Sequence, residues 1–228
     1  MSQISIFDGA KPLRIRKPIQ LIELFAGYGS QALALKYLGV PFEQTLISEW
    51  AIPSILAYKD LHFPRTEPLL AKTRYDVAVR MLTDKISRDY KTPLTEERIR
   101  RMAKKTVMDV CNAALVTGNS LSICKTKSIA SALANSGDST TVMTYSFPCQ
   151  SLSLAGKLDG MEEGSGTQSS LLWEVGRLLR NAHENGVPPD ILLMENVPEV
   201  VGERNIGVFR KWLELLHSLG YRSKWQIL

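Results

Sequence analysis

Cysteine and histidine are scarce in this chain of 228 residues: Cys111, Cys124 and Cys149 are its thiols, and His62, His183 and His217 its imidazoles. An odd number of cysteines without ligand spacing excludes a disulfide framework, and three isolated histidines give no zinc pattern, so no metal is expected. No run of eighteen apolar residues occurs, which excludes a membrane-spanning helix of ordinary length. The first eighteen residues carry Asp8, Lys11, Arg14, Arg16 and Lys17 but no continuous apolar segment of the signal-peptide kind. Residues 1–18 therefore read as an N-terminal extension, and the expected setting is reduced, intracellular and cytoplasmic, with no membrane partner. At 44% hydrophobic, the remainder can bury a substantial core as one α/β domain.

Acidic residues are short in one place. The net charge is +5, and residues 65–106 hold twelve Lys or Arg against six Asp or Glu. This segment reads as part of a helical insertion at about 60–118. Pro93 with Glu96 and Glu97 marks a helix start, and Ile99, Met102, Val107 and Val110 form an apolar stripe. The opposite face carries Arg98, Arg101, Lys104 and Lys105, which suits either a solvated surface or contact with nucleic-acid phosphates.

The chemistry-bearing residues follow apolar runs. Thr141-Val142-Met143-Thr144-Tyr145-Ser146 reads as a strand leading to Phe147-Pro148-Cys149-Gln150, and Asp190-Ile191-Leu192-Leu193-Met194 reads as a fully apolar, buried strand leading to Glu195-Asn196-Val197. Cys149 and Glu195 would thus lie just past the carboxyl ends of two parallel strands, where open α/β sheets bind ligands. A thiolate adding to a pyrimidine destroys its aromaticity, and the charge that develops on the ring needs a proton or hydrogen bond nearby. A nucleophile and an acid at neighbouring strand ends supply both.

A third strand, Ile19-Gln20-Leu21-Ile22-Glu23-Leu24, leads through Phe25-Ala26-Gly27-Tyr28-Gly29 into an amphipathic helix bearing Leu33, Leu35 and Leu38 and ending at Gly39. The Gly27, Gly29 and Ala32 spacing also satisfies a loose dinucleotide fingerprint, so a Rossmann-type oxidoreductase stays open at this point. Glu49 ends the apolar run Thr45-Leu46-Ile47-Ser48, placed to accept hydrogen bonds from a ribose diol, and Trp50 offers a flat face to an adenine. Between Cys149 and a helix beginning near Ser169, Gly156, Gly160, Gly164 and Gly166 make either a mobile lid or a flexible linker.

In this order the motifs resemble those of the cytosine-C5-specific DNA methyltransferases. Phe25-Ala26-Gly27-Tyr28-Gly29 is similar to that family's first motif, Glu49-Trp50 to its second, Ser146-Phe147-Pro148-Cys149-Gln150 to its fourth, Ser170-Leu171-Leu172-Trp173-Glu174 to its fifth and Glu195-Asn196-Val197 to its sixth. The resemblance implies a Rossmann-like class I methyltransferase sheet over residues 19–228 and S-adenosyl-L-methionine as methyl donor. It implies that Cys149 attacks C6 of a flipped cytosine in DNA and that Glu195 contacts N3. Phe25, Gly27, Gly29, Glu49, Trp50 and Leu171 would hold the cofactor, while Phe147, Pro148, Gln150, Ser153 and Asn196 would meet the base or DNA. The third motif is not evident; its nearest counterpart is Leu121-Ser122-Ile123, with Ser122 in place of an acid.

Family members continue past a segment like Tyr221-Arg222-Ser223-Lys224-Trp225-Gln226-Ile227-Leu228 into a target-recognition region and further motifs. The resemblance therefore implies a sheet incomplete at its C-terminal end, and a catalyst that needs a second polypeptide carrying the missing parts. A non-catalytic cofactor-binding or DNA-binding remnant, and a transfer-RNA methyltransferase, are the alternatives within this reading.

Overall fold

The four apolar runs form one parallel sheet. In a computed structural model of the chain, which describes residues 17–65, 74–134, 137–152 and 160–228, the strands are β1 (Ile19–Leu24), β2 (Phe42–Ser48), β3 (Thr141–Tyr145) and β4 (Ile191–Met194). Their spatial order is β2-β1-β3-β4, every pair parallel. From β1 the chain moves outward to β2, then crosses back to β3 on the other side of β1. The connection thus reverses direction between β1 and β3, so the crevice for a ligand opens at the carboxyl ends of those two strands.

Helices cover both faces because β1 is apolar on one side and carries a partnered acid on the other. Ile22 and Leu24 join Met143 and Tyr145 in a core closed by α7 (Leu172–Glu184) and α8 (Ile206–Ser218), where Trp212 packs edge-on to Tyr145 and Trp173 at 5.9 and 6.0 Å. On the opposite face Glu23 is fully buried. One carboxylate oxygen accepts the Ala32 N–H of α1 (Ser30–Tyr37) at 3.2 Å, and the other lies 2.6 Å from the Tyr58 hydroxyl of α2 (Ile52–His62).

A second core forms between α2 and a helical unit made of α3 (Tyr75–Leu82), α4 (Glu96–Arg100) and α5 (Lys104–Thr117). Ile99, Met102, Val107 and Val110 are all buried in it, as the stripe predicts, although the chain turns at residues 101–103 and divides the stripe between two helices. Thr95 starts α4 by accepting the Arg98 N–H on its side chain. The basic face is partly neutralised: Arg101 pairs with Glu97, Lys105 with Asp109, and Arg100 with both Asp76 and Glu96. A short helix, α6 (Ala130–Leu133), leads into β3.

Two expectations are corrected. β4 is not buried: Ile191 is 50% and Leu193 53% exposed. Among the described residues β4 pairs only with β3, and Ile191 and Leu193 share the face to which the two-residue period sends them. The leucines of α1 do not form a core stripe either, since Ala32 is the helix's buried residue and Leu38 is 69% exposed. This eight-residue helix meets the sheet through one small side chain above Glu23, then stops as expected at Gly39, whose φ is 65°. Among the described residues no helix is long and apolar enough to cross a membrane, and no group of three His, Cys, Asp or Glu is placed to hold a metal ion.

Candidate active site

The loops at the carboxyl ends of the strands enclose a cavity of about 330 Å³. The turn after β1 has unusual backbone: Phe25, Gly27 and Gly29 have φ of 56°, 55° and 81°. Glycine adopts such angles without strain. A Cβ on Gly27 would meet nothing within 4 Å, whereas one on Gly29 would lie 2.5 Å from His62 Nε2 and 2.6 Å from Tyr58 Cε2. Gly29 is thus required by packing against α2 as well as by its angle. Phe25 lines the cavity, while neither Gly27 nor Gly29 is among its lining residues.

Glu49 locks this turn. Its carboxylate accepts the Gly27 N–H at 2.8 Å and the Ala51 N–H at 2.6 Å, and burial raises its pKa against the pull of those donors. The carboxylate expected to meet a ribose diol is thus already engaged by the backbone. Each oxygen already holds one N–H and keeps a second lone pair for a ligand. Glu49 and Trp50 both border the cavity.

Cys149 and Glu195 follow β3 and β4 and line the same cavity with Phe147, Pro148, Gln150 and Asn196. Two hydrogen bonds fix the Cys149 turn: Asn196 Nδ2 donates to the Phe147 carbonyl at 2.8 Å, and Ser169 Oγ donates to the Pro148 carbonyl at 2.7 Å. Asn196 thus joins the loop after β4 to the loop after β3. Leu171 completes this side, and Ser153 lies outside the described residues.

Leu121, Ser122 and Ile123, the counterpart expected for the third motif, also line the cavity. Their position depends on a residue that local patterns did not single out. Asn119 Oδ1 accepts the Glu49 N–H at 3.0 Å and the Leu121 N–H at 2.8 Å, and Asn119 Nδ2 donates to the Glu49 carbonyl at 2.9 Å. Ser48 Oγ donates to the Leu121 carbonyl at 2.8 Å. Tyr90, Cys124 and Gln168 are further lining residues that the sequence reading passed over. The only hint of Asn119 was its place directly after Gly118, the left-handed cap of α5.

Similarity to known proteins places this arrangement. The family model described as C-5 cytosine-specific DNA methylase matches residues 116–228. The chain is 31% identical over 215 residues to the orphan methyltransferase M.SssI of Spiroplasma monobiae, covering 93% of this chain and 55% of that protein. It is 36% identical over 225 residues to the type II methyltransferase M2.ScrFI of Lactococcus lactis subsp. cremoris, covering 92% of this chain and 56% of that protein. A shorter match, 38% identical over 87 residues, is to the type II methyltransferase M.Bsp6I of a Bacillus species, covering 38% of this chain and 25% of that protein. The chain thus spans about half the length of the curated relatives it matches along nearly all of its own. With these matches, and with the motifs in family order around one cavity, the chain belongs to the C-5 cytosine-specific DNA methylase family.

Proposed function

We propose that this chain carries the catalytic and cofactor-binding parts of an enzyme that methylates C5 of cytosine in DNA. The observation that carries the reading is that one cavity is bordered by the Cys149 and Glu195 loops on one side and by Phe25, Glu49 and Trp50 on another. S-adenosyl-L-methionine would be held by Phe25, Glu49, Trp50 and Leu171 and would supply the methyl group as an electrophile, leaving as its thioether. The Cys149 thiolate forms a bond to C6 of an extruded cytosine, and the ring electrons shift toward C5 while Glu195 offers a proton at N3. C5 takes the methyl group as the sulfonium–methyl bond breaks. Loss of the C5 proton to water then breaks the sulfur–C6 bond and Glu195 takes back the N3 proton, which frees Cys149 and restores the aromatic ring.

Phe147 and Pro148 border the base, and exposed Gln150 faces the DNA. Asn196 positions Cys149 through the Phe147 carbonyl. A further polypeptide segment, carrying target recognition, completes the enzyme beside β4. Its support is the apolar groove of about 960 Å³ bordered by Leu193, Trp212 and Trp225, next to the exposed Ile191 and Leu193.

The test mixes the chain with a polypeptide corresponding to the part of the relatives that it does not match, and adds DNA containing 5-fluorocytosine and S-adenosyl-L-methionine. Fluorine at C5 cannot leave as a proton does, so the covalent adduct accumulates. Cys149→Ser should abolish the adduct, and undiminished trapping would remove Cys149 from its role. On ordinary DNA, Glu195→Gln should slow methyl transfer by about two orders of magnitude with cofactor affinity little changed.

A further inference from the structure

Among the described residues of the helical unit α3 to α5 and its loops, Tyr90 is the one that lines the cavity. Its loop is fastened to the cofactor side of the site. The Ser87 N–H donates to the Trp50 carbonyl at 2.8 Å, and the Ile52 N–H donates to the Ser87 carbonyl at 2.9 Å, forming a bridge between residues 51 and 87. Asp89 then shapes the turn: Oδ1 accepts the N–H groups of Lys91 and Thr92 at 2.9 and 2.8 Å and the Ser87 hydroxyl at 2.9 Å. These contacts hold Asp89 well below the usual carboxylate range.

Tyr90 itself has φ of 61°, a left-handed conformation that a bulky side chain adopts at a cost. Burial does not compensate that strain, because the residue is 42% exposed. The phenol reaches Ser54 Oγ at 3.5 Å, at the start of α2 just beyond Trp50. From the opposite rim, Gln168 Nε2 donates to the Lys91 carbonyl at 3.4 Å, so the loop is held on both sides of the opening. Gln168 Oε1 is buried without a hydrogen-bond partner among the described residues, and Gln168 belongs to the same cavity. A buried acceptor with nothing to accept calls for a donor on whatever fills that space.

We infer that Tyr90 is a cofactor-binding residue whose ring covers the purine of an adenosine ligand between Trp50 and Gln168. The inference rests on the cofactor reading above. A strained backbone, a rigid turn and an exposed aromatic ring at a cavity rim together make a preformed stacking face for a flat, electron-poor ring. The exocyclic amino group of adenosine also offers the donor that Gln168 Oε1 lacks.

Titration of the purified chain with S-adenosylhomocysteine, and separately with adenosine, tests this. Tyr90→Phe keeps the ring and should bind within a factor of about two of the parent chain, whereas Tyr90→Asn, which tolerates the left-handed backbone, should bind both ligands about tenfold more weakly. The thermal midpoint of the ligand-free Asn variant should match that of the parent, so that the loss reads as a missing contact. Equal affinity in the parent and in Tyr90→Asn overturns the inference and leaves the cofactor reading standing. No binding of either ligand by the parent chain overturns both.

Discussion

Replacing Asn119 by alanine should destabilise this protein substantially. Asn119 is 8% exposed and makes three hydrogen bonds, accepting from the Glu49 and Leu121 N–H groups and donating to the Glu49 carbonyl. Alanine removes all three and leaves three backbone groups to find other partners in a place largely closed to water. At about 1 kcal/mol net for each bond, with more where a group stays buried and unpaired, the loss comes to about 3 kcal/mol. That is a large part of the 5–15 kcal/mol typical of a whole domain, so the thermal midpoint should fall by about 6–12 °C. Cofactor affinity should fall as well, because the same side chain aligns Glu49 on one wall with Leu121, Ser122 and Ile123 on another. Asn119→Asp should keep the two accepted bonds but set a buried carboxylate against the Glu49 carbonyl. Its carboxyl pKa should rise in the folded state, so the variant should be more stable at low pH and lose that stability as pH rises. Urea denaturation followed by tryptophan fluorescence measures these effects. A stability for Asn119→Ala within about 0.5 kcal/mol of the parent would refute the reasoning.

The two glycines after β1 should respond differently to alanine. Gly29→Ala meets His62 and Tyr58 at 2.5 and 2.6 Å and should cost about 3 kcal/mol or more, while Gly27→Ala meets open space and should cost only the left-handed backbone penalty of about 1–2 kcal/mol; similar losses in denaturation would contradict the packing argument. Glu49 has a folded-state pKa raised above 4.5 by burial, so its contribution to stability is complete below that value and is lost as pH rises through the raised one. The stability difference between the parent and Glu49→Gln should therefore shift against the parent from about pH 4 to pH 8, and a flat difference over that range would show that Glu49 does not titrate there.

How much of this was legible in the sequence follows from how far each interaction reaches along the chain. The four strands and the helix starting near Ser169 could be read because apolar runs and breakers act locally. Cys149, Glu195, Glu49 and Trp50 could be placed because a residue just past a strand end inherits its position from the sheet. Burial of β4 was misjudged because four apolar residues look alike whether one face is covered or two; Ile191 and Leu193 are exposed through their position in the sheet. The contacts of Asn119, Ser169 and Tyr90 escaped notice for a different reason. Asn119 bonds to a residue 70 positions away, and Ser169 to one 21 away, so neither leaves a periodic trace. Tyr90 lies in a loop whose approach to Trp50 depends on how the helical unit packs on α2.

The two walls of the cavity also differ in how firmly they are made. On the cofactor side, polar side chains are used mainly on backbone: Glu49 holds Gly27 and Ala51, Asn119 holds Glu49 and Leu121, and Glu23 holds the start of α1. Such bonds fix the turn after β1 before a ligand arrives, which lowers the ordering cost of binding. On the Cys149 side, the turn that carries Cys149 is held by one bond from Asn196 to the Phe147 carbonyl and one from Ser169 to the Pro148 carbonyl, and Glu195 extends from β4, whose outer edge is unpaired among the described residues. Ile191 and Leu193 leave that strand half open to water. A strand covered on one side has fewer contacts to resist displacement, so the spacing between Glu195 and Cys149 should respond to whatever packs beside β4. Cofactor affinity and covalent chemistry should accordingly separate: the first depends on bonds already present in this chain, the second on a neighbour that holds β4 in place.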